Sequence, residues 1–168
     1  MRLRYARAGA LPALALALVT ACAGPAQYYE GSGLHDATPT EATGDWSGAE
    51  GTRVTLRPDG TATLRRLDGQ DFDFDTGWRL TGTGTWKLSD ARAGQRVRLT
   101  LAKRTAVDRR TPATPAPDAP APDASAPETP STYTWSLDVR RNPQKALELY
   151  FFFGDPDAGN TYVLRRTG

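Results

Sequence analysis

Few side chains in this chain of 168 residues are suited to covalent chemistry. Cys22 is the only cysteine and His35 the only histidine. Catalysis by a Ser-His-Asp or Cys-His arrangement needs a positioned imidazole, and structural zinc sites need several cysteine and histidine ligands. No Gly-rich phosphate-binding motif of the G-x-x-x-x-G-K-[ST] type occurs in the sequence. The sequence therefore predicts a protein that is not an enzyme, with no catalytic residue, no metal site, no cofactor and no disulfide.

Carboxylate side chains are the remaining candidates for chemistry, and they occur in two clusters. The clusters are Asp71, Asp73 and Asp75, and Asp155, Asp157 and Asn160. The first three lie at alternate positions of a predicted strand, with neighbours about 7 Å apart on one face. Acids in such an arrangement can bind calcium or act as a glycosidase pair. We favour the outer face of an amphipathic strand for the first cluster and a turn that caps backbone amides for the second.

The residues before Cys22 are typical of a secretory signal, with three arginines followed by an apolar run from Ala8 to Val19. This run is too short to cross a membrane, which takes about 20 residues. The tract Val19-Thr20-Ala21-Cys22 resembles the bacterial lipoprotein signal, in which the cysteine thiol receives a diacylglyceryl group before cleavage. The resemblance implies that residues 1–21 are removed and that lipidated Cys22 anchors the protein on the extracytoplasmic face of the cell membrane. A plain secretory signal is the alternative.

The charge of the chain changes when the predicted signal is removed. The full sequence has a net charge of +2, but residues 1–21 contribute three arginines and no acid, which leaves −1 for the remainder. No sustained basic patch with interleaved aromatic residues is present, so the sequence does not support nucleic-acid binding. Residues 22–44, which include His35, are polar, aperiodic and rich in Gly, Pro and Thr. We expect them to form a flexible tether that spans on the order of 25 Å.

From Trp46 onward, apolar and polar residues alternate in the pattern typical of strands. Residues 52–67 are a predicted hairpin around Pro58-Asp59-Gly60, because Pro fixes φ and Gly accepts positive φ. A stretch rich in Pro, Ala and Thr, at about 105–131, is expected to be a disordered insertion, because it can neither donate ladder hydrogen bonds nor bury a core. We therefore predict a single all-β domain over residues 45–168. It is an antiparallel meander of seven to eight strands, closed as a small barrel or folded as a sandwich.

Two short elements suggest a relationship. Gly44-Asp45-Trp46 opens the first strand, and Gly84-Thr85-Trp86 repeats its pattern in a middle strand. These G-x-W elements resemble the signature of lipocalins and their smaller bacterial relatives, and the wider pattern resembles small actinobacterial lipoproteins of unknown function. The resemblance implies a lipocalin-like barrel in which Trp46 packs across the base and Arg165 or Arg166 lies over it. The residues expected to be structural or to line a ligand are Trp46, Trp86, Trp135, Phe151, Arg165 and Arg166.

The run Tyr150-Phe151-Phe152-Phe153 is unusual because it places aromatic side chains on both faces of one strand. Either this strand is buried on both faces, or Tyr150 and Phe152 form a surface patch for a partner. We favour packing beneath the insertion or a neighbouring loop.

The features together favour a non-enzymatic binding or scaffold module of the cell envelope, whose partner would be another envelope protein. The alternative is a lipocalin-like carrier of a small apolar ligand. The two differ in the barrel interior. An empty interior favours the carrier and a packed one favours the scaffold, and the residues expected to line it are Trp46, Trp86, Leu99, Trp135 and Phe151. A carboxylate-based hydrolase is a third and less favoured function, since it needs two acids that converge in a cleft.

Overall fold

The computed structural model describes residues 31–70, 77–110, 129–154 and 158–168. These residues form eight strands in one closed antiparallel barrel, and each strand pairs with the next along the chain. The strands are β1 (Gly44–Ser47), β2 (Arg53–Leu56), β3 (Thr61–Asp68), β4 (Trp78–Ala91), β5 (Gly94–Arg109), β6 (Tyr133–Arg141), β7 (Leu147–Phe152) and β8 (Thr161–Arg166). Strand β1 also pairs with β8 and closes the barrel. The predicted all-β antiparallel fold is confirmed, as a barrel rather than a sandwich.

The up-and-down order of the strands gives the barrel two unlike ends. One end carries helix α1 (Pro39–Ala42), the turns at 57–60, 92–93 and 142–146, and the end of β8. We call it the helix end. The opposite end carries a 3₁₀ turn, Ala49–Gly51, and the ends of β3, β5 and β7. We call it the arginine end, after Arg79 and Arg110, which lie there.

Apolar side chains from alternate strand positions occupy the barrel interior. On β5, every second residue from Val97 to Leu101 is fully buried, as the alternation in the sequence predicts. The bulkiest interior side chains, Trp46, Trp135 and Phe151, are each at most 1 % exposed. All of them belong to one continuous apolar cluster. Because full burial of such a side chain contributes roughly 1.5–3 kcal/mol, this cluster is the main source of the barrel's stability.

The β4–β5 hairpin corrects the predicted start of the insertion. Strand β5 continues to Arg109, so residues 105–109 belong to the barrel wall, where Asp108 lies opposite Arg79. The periodic signal fails here because both faces of this part of β5 are largely exposed. On the far side of the insertion, Arg104 Nη1 donates to the carbonyl oxygens of Thr129 and Pro130, both at 2.7 Å. Residues 111–128 lie outside the described residues.

The residues before β1 correct the predicted tether. From Gly31 to Gly44 the chain packs on the helix end, and the buried side-chain amide of Gln95 exchanges two hydrogen bonds of 2.8 Å with the backbone of Ala37. Helix α1 then begins with a capping box, in which Thr38 and Glu41 each accept a hydrogen bond from the other's backbone amide. The tract Thr38-Pro39-Thr40-Glu41 is the sequence signature of that box, with Pro at the first helical position. Residues 31–44 of the predicted tether therefore belong to the packed structure, and residues 22–30 lie outside the described residues.

Two glycines of β4 lie where the strand shifts register against β5. A Cβ atom at Gly84 would overlap the carbonyl oxygen of Thr100, and one at Gly82 would overlap that of Lys103. These neighbours are backbone atoms of the ladder itself, so they cannot move aside without breaking strand pairing. The glycine of the second G-x-W element is therefore required by the close approach of two strands.

Gly84→Ala is expected to lower the free energy of unfolding by about 3 kcal/mol, because the added methyl group meets backbone rather than a movable side chain. Urea denaturation followed by tryptophan fluorescence measures the change. Thr85→Ala, at the neighbouring exposed position, is the matched control and should change stability by no more than about 0.5 kcal/mol. Equal stability of the Gly84→Ala variant and the wild type would contradict this account of β4.

Candidate functional site

The structure separates the residues that the sequence analysis grouped together. Trp46, Trp135 and Phe151 lie in the packed interior, whereas Trp86 lies at the helix end with 8 % of its surface exposed. Cys22 and the acidic residues of 71–75 and 155–157 lie outside the described residues. The expected lining residues thus divide between a filled core and one end of the barrel, and they do not surround a common space.

The indole N–H groups of the three tryptophans expected to be structural or to line a ligand each donate to a backbone carbonyl oxygen. Trp46 Nε1 donates to Ala42 at 3.0 Å, Trp86 Nε1 to Arg57 at 2.7 Å, and Trp135 Nε1 to Asp68 at 2.6 Å. Buried indoles need such a partner because an unpaired N–H group in the core is costly. These hydrogen bonds connect the barrel wall to helix α1, to the β2–β3 turn and to the end of β3.

Arg166, and not Arg165, lies against helix α1 at the helix end of the barrel. Its Nη1 atom donates to the carbonyl oxygen of Glu41 at 2.9 Å, and its guanidinium group lies against Gly44. Gly44 has φ of 133°, so a side chain there would be strained and would also meet this guanidinium group. Arg165 faces outward, where its Nε atom donates to Glu148 Oε1 at 3.0 Å. The first glycine of the first G-x-W element therefore makes room for Arg166.

Tyr150 of the aromatic run on β7 is packed rather than part of an exposed surface patch. Tyr150 points outward by strand parity but is only 3 % exposed. The guanidinium carbon of Arg140 lies 4.5 Å from its ring centroid, and the Phe152 ring lies 6.1 Å away in an edge-to-face arrangement. Such contacts stabilise an aromatic ring on a sheet face.

The helix end carries an open groove with a volume of about 590 Å³. Its apolar lining includes Pro39, Pro58, Trp86 and Leu88, and two cationic side chains, Lys87 and Arg166, border it. We call it the helix-end groove. Its volume lies within the range of small-molecule sites, about 300–1,000 Å³. The groove lies outside the packed interior, between α1, the β2–β3 turn and β4.

Four ionised side chains meet at the opposite end. We call Glu50, Asp68, Arg79 and Arg110 the arginine cluster. Asp68 is fully buried, and Arg110 binds both of its oxygens, from Nε at 2.8 Å and from Nη2 at 3.1 Å. Arg110 also donates to Glu50 Oε1 at 2.6 Å. The buried Arg79 donates to the Glu50 carboxylate at 3.3 Å and to the Glu50 carbonyl oxygen at 2.8 Å. Two guanidinium groups thus balance two carboxylates.

Two residues at the arginine end have strained backbone conformations. Glu50 and Arg66 have φ of 51° and 55°, which are left-handed conformations that side chains other than Gly rarely adopt. Both carbonyl oxygens accept hydrogen bonds from Arg79, at 2.8 and 3.4 Å respectively. Each such conformation costs of order 1–3 kcal/mol, so the hydrogen bonds to Arg79 offset the strain.

The hydroxyl group of Tyr162 extends the arginine cluster toward β8. It lies 2.5 Å from the hydroxyl group of Thr52, whose Oγ1 donates to the Arg66 carbonyl oxygen at 2.6 Å. Burial raises the pKa of the Tyr162 hydroxyl well above its usual value, and the nearby Asp68 carboxylate acts in the same direction. For Arg110, burial opposes the charge, but the hydrogen bonds to Asp68 and Glu50 outweigh it and raise the pKa of the guanidinium group.

The arrangement suits a structural role at the arginine end. The cluster joins the β1–β2 connection, the end of β3, the start of β4 and the residue after β5, and both of its carboxylates already accept hydrogen bonds from guanidinium groups. No sequence pattern pointed to these residues. The ladder between β3 and β4 shifts register between Leu64 and Leu67, which places Leu67 on the inward face and Asp68 beside Arg79 on the opposite face. Such a bulge is invisible in the hydrophobic alternation.

No family model matches the chain, and no match was found among curated proteins or solved structures. Within the described ranges, no three side chains of the metal-ligating types lie close enough to hold an ion. No helix in those ranges combines the length and the apolar character that a membrane crossing requires.

Asp68→Ala is expected to lower the free energy of unfolding by about 3–5 kcal/mol, because it leaves Arg79 and Arg110 buried without their shared carboxylate. Chemical denaturation measures the loss. The control is Asp108→Ala, which removes a half-exposed ion pair to Arg66 at 3.6 Å and should cost no more than about 1 kcal/mol. A loss from Asp68→Ala as small as that of the control would show that the cluster does not stabilise the barrel.

Tyr162 should make stability depend on pH in the alkaline range. Because its pKa is raised in the folded state, its stabilising contribution is complete below the unfolded-state pKa of about 10 and is lost as pH rises further. The wild type should therefore lose stability above pH 10, and Tyr162→Phe should show a smaller loss over the same interval. Thermal melting at a series of pH values tests this. Parallel pH profiles for Tyr162→Phe and the wild type would contradict it.

Proposed function

We propose that the protein is a lipid-anchored binding or scaffold module on the extracytoplasmic face of the cell membrane, and that it catalyses no reaction. The support for the anchor lies in the sequence, where three arginines, a short apolar run and Val19-Thr20-Ala21 precede the single Cys22. Lipid on Cys22 would stabilise membrane attachment by roughly 0.8 kcal/mol for each buried CH₂ group.

The observation that carries the choice of function is the packed barrel interior. Trp46, Leu99, Trp135 and Phe151 are between 0 and 1 % exposed and belong to one continuous core. A lipocalin-like carrier would hold its ligand inside the barrel, so that volume would have to be empty. A packed interior leaves the outer surface for recognition, which favours a module that binds partners outside the barrel wall.

The test uses the mature protein purified from the membranes of its own cells in mild detergent. Native mass spectrometry should give the mass of residues 22–168 plus the attached lipid, with no further stoichiometric ligand other than a membrane phospholipid. The variant Cys22→Ser should lose the lipid mass and move from the membrane fraction to the soluble fraction, since the sequence holds no second cysteine to replace it.

Two results would overturn the proposal in different ways. Persistence of Cys22→Ser in the membrane fraction would show that the anchor is not on this residue. A bound apolar molecule other than a membrane phospholipid, at a ratio near one per chain, would support the carrier in place of the scaffold. The control for handling and expression is Ser32→Ala, a small substitution at a position outside the predicted signal.

A further inference from the structure

The helix end has an excess of unpaired positive charge. Its acidic side chains are already engaged, because Asp36 and Glu41 both bind Arg141, at 3.3 and 3.1 Å. Asp90 lies 2.7 Å from His35, and Asp59 accepts hydrogen bonds from the hydroxyl group and the amide of Thr61. These carboxylates, and Asp45, whose Oδ1 accepts a hydrogen bond from Thr55 at 2.5 Å, form no ion pair with the other described cations at this end.

Five exposed cations at the helix end have no carboxylate within ion-pair distance among the described residues. They are Arg57, Lys87, Arg92, Lys145 and Arg166, and the last donates to the carbonyl oxygen of Glu41. Arg92 lies in the β4–β5 turn and Lys145 in the β6–β7 turn, so the charges are distributed over the end of the barrel rather than along its wall. Such an arrangement attracts a surface of negative charge.

The helix-end groove adds apolar surface between these cations. Lys87 and Arg166 border it, and Trp86 and Leu88 contribute to its lining. Pro39 and Pro58 are exposed on its two sides. Cationic and aromatic residues next to an apolar surface are the combination that binds at the boundary between lipid headgroups and acyl chains.

The place where the chain joins the barrel brings the helix end close to the proposed anchor. Gly31 lies against Ala93 in the β4–β5 turn, and the Gly33 amide donates to the Ala93 carbonyl oxygen at 3.1 Å. Gly31 lies nine positions after Cys22, and a stretch of that length spans at most about 32 Å. The point of attachment is on the helix end, so a lipid on Cys22 holds that end nearest to the bilayer.

We propose that the helix end is a membrane-docking surface for anionic lipids. Lys87, Arg92, Lys145 and Arg166 would bind lipid phosphates, and the helix-end groove would take the headgroup and upper acyl region of one lipid. The inference rests on the proposed lipid anchor for the orientation of the barrel. The contacts themselves involve only described residues, so they can be tested without the anchor.

The experiment uses residues 22–168 with Cys22→Ser, so that covalent lipid contributes nothing to binding. Co-sedimentation is measured with vesicles of phosphatidylcholine alone and with vesicles of equal parts phosphatidylcholine and phosphatidylglycerol. Binding should require phosphatidylglycerol and weaken as salt is raised, because the charges are exposed. The double variant Lys87→Gln/Arg166→Gln should lower the partition coefficient about 30-fold, as expected for two basic residues at an anionic surface.

The matched control is Lys103→Gln/Arg109→Gln, which removes two exposed cations from the part of β5 away from the helix end and should bind as the wild type does. Lys87 has no hydrogen bond or ion pair among the described residues, so Lys87→Gln alone should not disturb the fold. It should lower binding about 5-fold, which separates the loss of charge from any folding defect caused by the change at Arg166.

Equal losses in the two double variants, or equal binding to neutral vesicles, would overturn the proposal. So would inhibition by inorganic phosphate beyond that by chloride at equal ionic strength, because the site would then take the free anion. Failure of membrane fractionation in the Cys22 experiment would leave these results unchanged.

Discussion

The barrel depends on a closing seam of only two residue pairs between β1 and β8. So short a ladder supplies few backbone hydrogen bonds, and side chains must hold the two strands together. Helix α1 provides the partners for both strands, because Trp46 of β1 donates to Ala42 and Arg166 of β8 donates to Glu41. The capping box that fixes α1 is therefore part of the mechanism that closes the barrel. The same contacts place Arg166 at the border of the helix-end groove, so closure and the proposed docking surface share one arginine.

The two ends of the barrel use charge in opposite ways. At the arginine end, Asp68 and Arg79 are buried and their charges are balanced by Glu50 and Arg110, so the charges serve stability and are unavailable to a partner. At the helix end, cations such as Lys87 are exposed and lack a carboxylate partner among the described residues. Exposed charges keep most of their hydration, so a partner can bind them at a small desolvation cost. The charges at the arginine end therefore stabilise the fold, whereas those at the helix end are available to bind a partner.

Much of the fold could be predicted from hydrophobic alternation, and the failures have physical causes. The hairpin around Pro58-Asp59-Gly60 and the buried positions of β5 follow directly from period-two patterns and turn chemistry. The last residues of β5 were missed because a strand that projects past the core has no buried face to mark it. Helix α1 was missed because its four residues are too few for a 3.6-residue period, although its capping box was legible.

The arginine cluster could not be predicted at all, since its four members come from distant parts of the chain and a register shift between Leu64 and Leu67 changes the face on which Asp68 lies. The helix-end groove could not be predicted from the sequence either. Its lining depends on how α1 crosses the barrel base, which no local pattern encodes. Trp86 was identified as a candidate ligand-lining residue from its G-x-W element, and the structure places it in that groove rather than in the interior.

The central claim, that the lipid-anchored barrel stands with its helix end on the membrane, can be measured by spin labelling of the lipidated protein. Lipidated Cys22 has no free thiol, so Lys87→Cys and Lys103→Cys each introduce a single reactive site. Collisional relaxation by oxygen, which concentrates in lipid, and by a water-soluble nickel complex reports the depth of each label. The account predicts that a label at 87 lies at the headgroup level while a label at 103 stays in water. Equal exposure of both labels to the nickel complex, or a deeper label at 103, would contradict it.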